Sequence, residues 1–327
     1  MKSVVAIFLS VWGSAAIALA QPSNESIEVL QIRPNFYMIA GAGGNIGVQV
    51  GSDGVVLVDA GAEKASGEIL AAIKKITNQP IRYIIDTSAD ADFVGGNARL
   101  AKAGKSIFPA SEKDKAEVER LMTNGGAASI LAHEKVLLRM SAPTGKVAAY
   151  ASDAWPTESF SQTRKYIYLN HEPIEMFHYP AAHTDGDSIV FFRISDVVVA
   201  GDILDTTRFP VIDIERGGSV QGEIEALNHV IELAVSPIPF IYQEGGTYVI
   251  PGHGRVCDQF DVVEYRDMVV VVRDVIQDML KRGMTLEQIK AADPAKPYEH
   301  QYGADSGPWT TNDFVEAIYK SLAGNKQ

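Results

Sequence analysis

Five polar, glycine-bearing loops follow directly on short apolar runs, and that succession restricts the fold of this chain more than any other feature. They are Val58-Asp59-Ala60-Gly61, Asp86-Thr87-Ser88-Ala89-Asp90-Ala91-Asp92-Phe93-Val94-Gly95-Gly96-Asn97, Ala182-His183-Thr184-Asp185-Gly186-Asp187, Ala200-Gly201-Asp202 and Ile250-Pro251-Gly252-His253-Gly254. A short apolar run bounded by turn residues reads as a buried strand. A strand that ends in Gly, Asp or His presents rigidly held side chains at the rim of a sheet, where several loops can converge on one metal ion. Each loop alone is a common turn. The constraint lies in their order.

The remaining segments fit that scheme. Phe36–Ala40, Ile46–Val50 and Val55–Asp59 read as strands joined by tight turns. Ile69, Ala72, Ile73 and Ile76 recur at helical spacing before Pro80, and Ile81–Ile85 is the strand leading into the Ser88 loop. Helices are expected over Gly95–Ala103 and Glu112–Met122, with a further helical piece over Ile130–Met140. That piece lies in an otherwise irregular stretch, 123–156, which is either a lid or substrate wall or plain surface decoration. Strands return at Lys165–Leu169, Ile174–His178, Ser188–Arg193, Val197–Ala200 and Tyr248–Ile250, with a helix over Gly222–Ala234. Met268, Val271, Val272, Val275, Ile276 and Met279 form an apolar stripe that predicts a core helix. Gly41-Ala42-Gly43-Gly44 is followed by a strand rather than a helix, so it reads as a hairpin at the rim and not a dinucleotide fingerprint. His133, His171, His178, His229 and His300 lack ligand-like spacing and read as surface or satisfied strand residues.

No repeat, low-complexity tract or linker divides the chain. It reads as a signal segment over 1–20 and one domain over 21–327, with a core of about 27–255 and a helical extension over 260–327. Lys2, the apolar run Val4–Ala20 and the small-residue pattern Ala18-Leu19-Ala20 have the form of a cleaved secretory signal; the alternative is an uncleaved anchor. The first reading places the mature protein in the periplasm or outside the cell, with no stable membrane insertion. The net charge is −12, from 41 acidic and 29 basic residues with no Lys/Arg run, which argues against nucleic acid and for a small-molecule substrate. Cys257 is the single cysteine, so the chain cannot close an internal disulfide.

Taken together, the five loops resemble the motif series of the metallo-β-lactamase superfamily, from about Ile27 to His253. In that family the second loop reads Thr-His-x-His-x-Asp-His-x-Gly-Gly. Thr87, Asp92, Gly95 and Gly96 match, while Ser88, Asp90 and Phe93 stand where the three histidines would be. The resemblance implies an α/β fold, a four-layer αββα sandwich with appended C-terminal helices and a metal site along one edge. It further implies one metal position at Ser88, Asp90 and His183, a second at Asp92, Phe93 and His253, and Asp202 bridging them. Phe93 cannot ligate, which leaves Asp90, Asp92, His183, Asp202 and His253 as the candidate ligands. The set Asp92, Asp202 and His253 suffices for a single ion with open positions, whereas neutral Ser88 weakens the other position.

Such a centre would take one or two divalent ions. Zinc comes first on intrinsic affinity, with manganese or iron favoured by the carboxylate content. Two functions remain open. One is an exported hydrolase that turns a metal-activated water on a lactam, lactone, ester or thioester, with Asp92, Asp90 and His183 as the catalytic groups. The other is a lapsed member of the family, a ligand-binding or interaction module of the cell envelope, with Phe93 walling a small-molecule pocket. In that second case Asp90 solvates or caps the loop, Asp92 holds the turn and no ion binds.

Overall fold

The computed structural model describes residues 26–107, 126–142, 150–237 and 245–324; the signal segment over 1–20 and the helix expected over Glu112–Met122 lie outside them. Two sheets form. The first has the order β1 (Glu28–Arg33), β2 (Phe36–Ala40), β3 (Ile46–Gly51), β4 (Gly54–Val58), β5 (Ile81–Ile85), β6 (Ser129–His133), β7 (Glu158–Phe160). The second runs β12 (Tyr248–His253), β11 (Val197–Asp205), β10 (Asp187–Phe192), β9 (Glu172–Tyr179), β8 (Arg164–Leu169). Strands β1 to β4 pair antiparallel and β4 to β7 parallel, while β12 runs parallel to β11 in an otherwise antiparallel sheet.

Alternation along β4 shows why the layers stack. Val56 and Val58 turn inward to a core shared with Ile174, Met176, Val190 and Val199 of the second sheet. Val55 and Leu57 turn the other way, onto Ile69, Ala72 and Ile73 of α1 (Ser66–Ile76) and Leu100 of α3 (Asn97–Ala103), which follows the short α2 (Ala91–Val94). A strand buried on both faces needs no polar alternation, and each such side chain contributes about 1.5–3 kcal/mol. The outer face of the second sheet, through Ile189, Val198 and Val249, is covered by α5 (Val220–Leu233), α6 (Gln259–Lys281) and α9 (Thr311–Gly324), with Ile289 of α7 (Leu286–Ala292) and Tyr302 of α8 (Glu299–Tyr302) in the same cluster. Helix, sheet, sheet, helix is the layer order expected from the motifs, with C-terminal helices appended.

Three expectations need correction. Ile130–Met140 is not one helix: Ser129–His133 forms β6, and helix α4 begins at Glu134 and ends at Ser141. Ile130, Leu131 and Ala132 are fully buried between parallel neighbours, an environment that outweighs their helical spacing. On α6, Val271 and Val275 face solvent, and the buried stripe runs through Val262, Tyr265, Met268, Val269, Val272 and Ile276. Gly201-Asp202 and Gly252-His253 lie inside β11 and β12 rather than in loops beyond them. Among the described residues no helix is long and apolar enough to cross a membrane.

Candidate metal centre

The centre forms where β5, β11, β12 and the turn between β9 and β10 meet at one edge of the two sheets. Asp59, just after β4, adopts φ 67, a left-handed conformation that non-glycine residues rarely take. Its buried carboxylate accepts the Thr87 amide at 2.8 Å and the Thr87 hydroxyl at 2.8 and 3.0 Å, so β4 straps the start of the Ser88 loop. Burial pushes the Asp59 carboxyl well above its ordinary value, against those donations from Thr87. Gly201 sits opposite with φ +54, and a Cβ there would come within 2.5 Å of Thr87 Oγ1. Only glycine lets β11 pass this close, and the irregular register beside it aims Asp202 at the loop.

Three donor atoms converge: one each from Asp90, His183 and Asp202, all within 4.8 Å of one another. Asp90 Oδ2 is 2.8 Å from His183 Nε2, and Asp202 Oδ2 is 3.9 Å from the same nitrogen. His183 Nδ1 donates to the Val211 carbonyl at 2.6 Å, which fixes the tautomer with Nε2 facing the carboxylates. Ser88 Oγ donates to Asp202 Oδ2 at 3.2 Å and accepts the Asp90 amide at 3.3 Å. Serine here braces the Asp202 carboxylate against the backbone amide of Asp90.

Electrostatics follow from this crowding. Burial pushes Asp202 up to about 7, opposed by His183 and reinforced by Asp90 and Asp92. Burial alone would depress His183, yet Asp202 and Asp90 hold its imidazole well above the ordinary histidine range. Asp90 is held down at about 2, because His183 and Arg216 outweigh its burial. The cluster stabilises positive charge at its middle, as a cation site must.

Asp92 and His253 form a second, looser pair. His253 Nε2 is 3.0 Å from Asp92 Oδ2, but off the hydrogen-bonding direction, so this buried nitrogen has no hydrogen-bond partner among the described residues. Phe93 is fully buried beside it, its ring edge-to-face with His253 at 5.5 Å between centroids. A Cβ on Gly44 would come within 2.7 Å of that ring, and one on Gly252 within 3.0 Å, so two glycines make room for the phenyl group. Gly44 belongs to the hairpin between β2 and β3, placed at the rim as its spacing suggests, and its amide binds the Asp92 carbonyl at 2.9 Å.

All five candidate ligands therefore border one edge, with Asp90, His183 and Asp202 gathered tightly and Asp92 with His253 paired beside them. The donor set fits a divalent ion: two carboxylates and an imidazole of fixed tautomer on one side, an orphaned imidazole nitrogen on the other. Sequence reasoning missed Arg216, whose Nη1 reaches Asp90 Oδ1 at 2.8 Å. It also missed Tyr150, in the irregular stretch, whose hydroxyl donates to the Ala89 carbonyl at 2.8 Å. Tyr150, Ala154 and Trp155 pack against the apolar cluster that holds Phe93, so this part of 123–156 supports the loop from below. His133 and His178 are not isolated: their rings stack at 3.4 Å between β6 and β9, joining the two sheets.

The model of the metallo-beta-lactamase superfamily matches residues 40–240, and the chain belongs to that superfamily. Solved structures agree at the level of fold. A metallo-beta-lactamase from Pontibacter korlensis aligns with a TM-score of 0.52 at 15% identity, covering 74% of this chain and 98% of the other. The stereoselective inverting sec-alkylsulfatase Pisa1 from Pseudomonas sp. aligns with a TM-score of 0.61 at 14% identity over 91% of this chain, which spans 50% of the alkylsulfatase's length. DIM-1 metallo-beta-lactamase aligns with a TM-score of 0.51 at 14% identity over 75% of this chain and 97% of its own. No curated protein sequence matches significantly.

Proposed function

We propose that this chain is an exported metal-dependent hydrolase with a carboxylate-rich version of the superfamily's centre. The observation that carries the reading is the convergence of donor atoms from Asp90, His183 and Asp202, with His183 Nδ1 committed to Val211 and Nε2 left facing inward. When bound, a divalent ion would supply an acidified water and polarise a substrate carbonyl. Asp90, His183 and Asp202 hold that ion in this reading, with zinc favoured by affinity and manganese or iron by the hard oxygen donors. Asp92 is the group placed to move a proton, since its side chain is 39% exposed and lies 3.0 Å from the His253 imidazole. Lactam, lactone, ester and thioester bonds suit such chemistry, and the alkylsulfatase likeness adds sulfate esters to the set worth assaying. Export rests on Lys2, the apolar run Val4–Ala20 and Ala18-Leu19-Ala20.

The test is elemental analysis of the purified mature protein alongside a hydrolysis panel run with and without chelator. Bound zinc, manganese or iron with chelator-sensitive turnover is the expected result. Protein that holds no ion after mild purification and is not stabilised by adding one would overturn the reading. A second reading, a ligand-binding module without turnover, draws on Phe93, which puts an apolar ring against His253. It gains if Asp92→Ala and His253→Ala leave both fold and any identified activity intact.

A further inference from the structure

The segment between β11 and α5 grips the back of the centre at three points. The Val211 carbonyl accepts the His183 Nδ1 proton at 2.6 Å, the Asp213 amide donates to the His183 carbonyl at 2.9 Å, and Arg216 Nη1 reaches Asp90 Oδ1 at 2.8 Å. Arg216 is itself anchored at both ends. Asp213 accepts its amide at 2.9 Å and lies 3.3 Å from its Nε, while its carbonyl takes the Asp185 amide at 2.9 Å and Arg139 Nη2 at 3.2 Å. The guanidinium is therefore a built element and not a wandering surface charge. It occupies one oxygen of Asp90 and leaves the other, Oδ2, turned to His183 Nε2.

We propose that Arg216 is a positioning residue that supplies, as part of the chain, the positive charge a second ion would bring, so that the centre takes one divalent ion rather than two. This rests on the metal reading above. Arg216 sets a fixed positive charge against Asp90, on the side of that carboxylate turned away from His183. A second ion would leave Arg216 beside surplus positive charge in a partly buried pocket. Arginine suits the task because it stays charged at any working pH and its planar fork fixes a carboxylate's orientation. Neutral Ser88, standing where a ligand would serve the same ion as Asp90, fits a centre whose charge is balanced from this side chain.

The experiment strips the mature protein with chelator and titrates it with zinc and with cobalt, reading stoichiometry by native mass spectrometry and affinity by calorimetry. Wild type should take one equivalent. Arg216→Met should bind that ion about tenfold more tightly, since removing a neighbouring like charge outweighs the small cost of ordering a freed aspartate, and should admit a second equivalent. Arg216→Lys, which keeps the charge, should return to one. Cobalt absorption gives an independent signature, because a second occupied position adds intensity that a merely structural defect would not. Thermal melts confirm folding, and Arg216→Gln repeats the comparison if the Met variant does not fold. A wild-type protein that takes two ions, or a Met variant unchanged in stoichiometry and within about twofold in affinity, overturns the role of Arg216 while leaving the metal reading standing. A wild type that binds no ion ends both.

Discussion

The two ends of the centre fill the positions of the superfamily motif's histidines in opposite ways. Around His183 the replacements are polar and tied into a network: Ser88 struts Asp202, Asp90 is held by Arg216, and the imidazole is fixed by a backbone carbonyl. Around His253 the replacement is a phenyl ring that joins an apolar cluster with Val94, Ala132, Val136 and Met140. His183 has 7% of its side chain exposed and Asp90 25%, against 19% for His253 and 39% for Asp92. The first end gathers three donor atoms, while the second sets a ring into packing. A side chain removed from the first should cost binding, and one removed from the second should cost stability.

Phe93→Ala tests that contrast most severely. Emptying a fully buried aromatic site should lower unfolding free energy by about 3–5 kcal/mol in urea titrations, with metal affinity in the folded fraction little changed. A loss below about 1 kcal/mol would mean the ring is not the keystone of its cluster. Next come the two histidines. His183→Ala should weaken binding of the proposed ion about 100-fold and His253→Ala about tenfold or less, read by equilibrium dialysis with elemental analysis. Equal losses would erase the distinction between the two ends.

A third region supplies the baseline for any pH work. Burial, with the stacked His133 ring, lowers His178 from an ordinary 6.5 to about 4, with Glu134, Lys135 and Asp185 as the charged neighbours of the pair. The neutral ring is the form the fold accepts, so stability should be full above pH 6.5 and fall as pH drops toward about 4. Melting temperatures measured across that window should show the decline, and His178→Phe should flatten it. An unflattened decline would assign the acid sensitivity to the other buried imidazoles, His133 and His229, since the raised Asp202 carboxyl works in the opposite direction. The smallest effect belongs to Ser88→Ala: the lost hydrogen bond to Asp202 should cost within about 1 kcal/mol of stability, and a larger loss would show that serine does more than brace.

Much of this molecule could be read before any coordinates. The strands β2 to β5 and the helix α1 announce themselves by apolar runs and spacing, because each is bounded by glycine or proline. Sequence order also brought Asp90, Asp92, His183, Asp202 and His253 to one edge. What it missed has physical causes. Ile130–Ala132 has the same composition whether helix or strand, and only its position between two parallel neighbours decides. Strand β1 has four exposed residues at its start and β7 is three residues long, so neither offers a pattern. Val211 acts through a backbone carbonyl, invisible in any sequence. Arg216 belongs to no motif; its only signal is Asp213-Ile214-Glu215-Arg216-Gly217, an acid capping a short turn that closes on a left-handed glycine. The ion site that looked better from ligand types, Asp92 with Asp202 and His253, is the more open of the two, since distances rather than residue identity decide which donors can share an ion.

The hollow that Gly44 and Gly252 leave around Phe93 bears on how such a protein can change. An imidazole is smaller than a phenyl group and would inherit that space without displacing backbone, its edge already directed at His253. A nitrogen donor at this end is thus one substitution away. At the opposite end the same step is blocked, because a histidine at position 90 would strand Arg216 without the carboxylate it grips. A histidine is thus accommodated at one end and opposed at the other, where the guanidinium already claims the carboxylate.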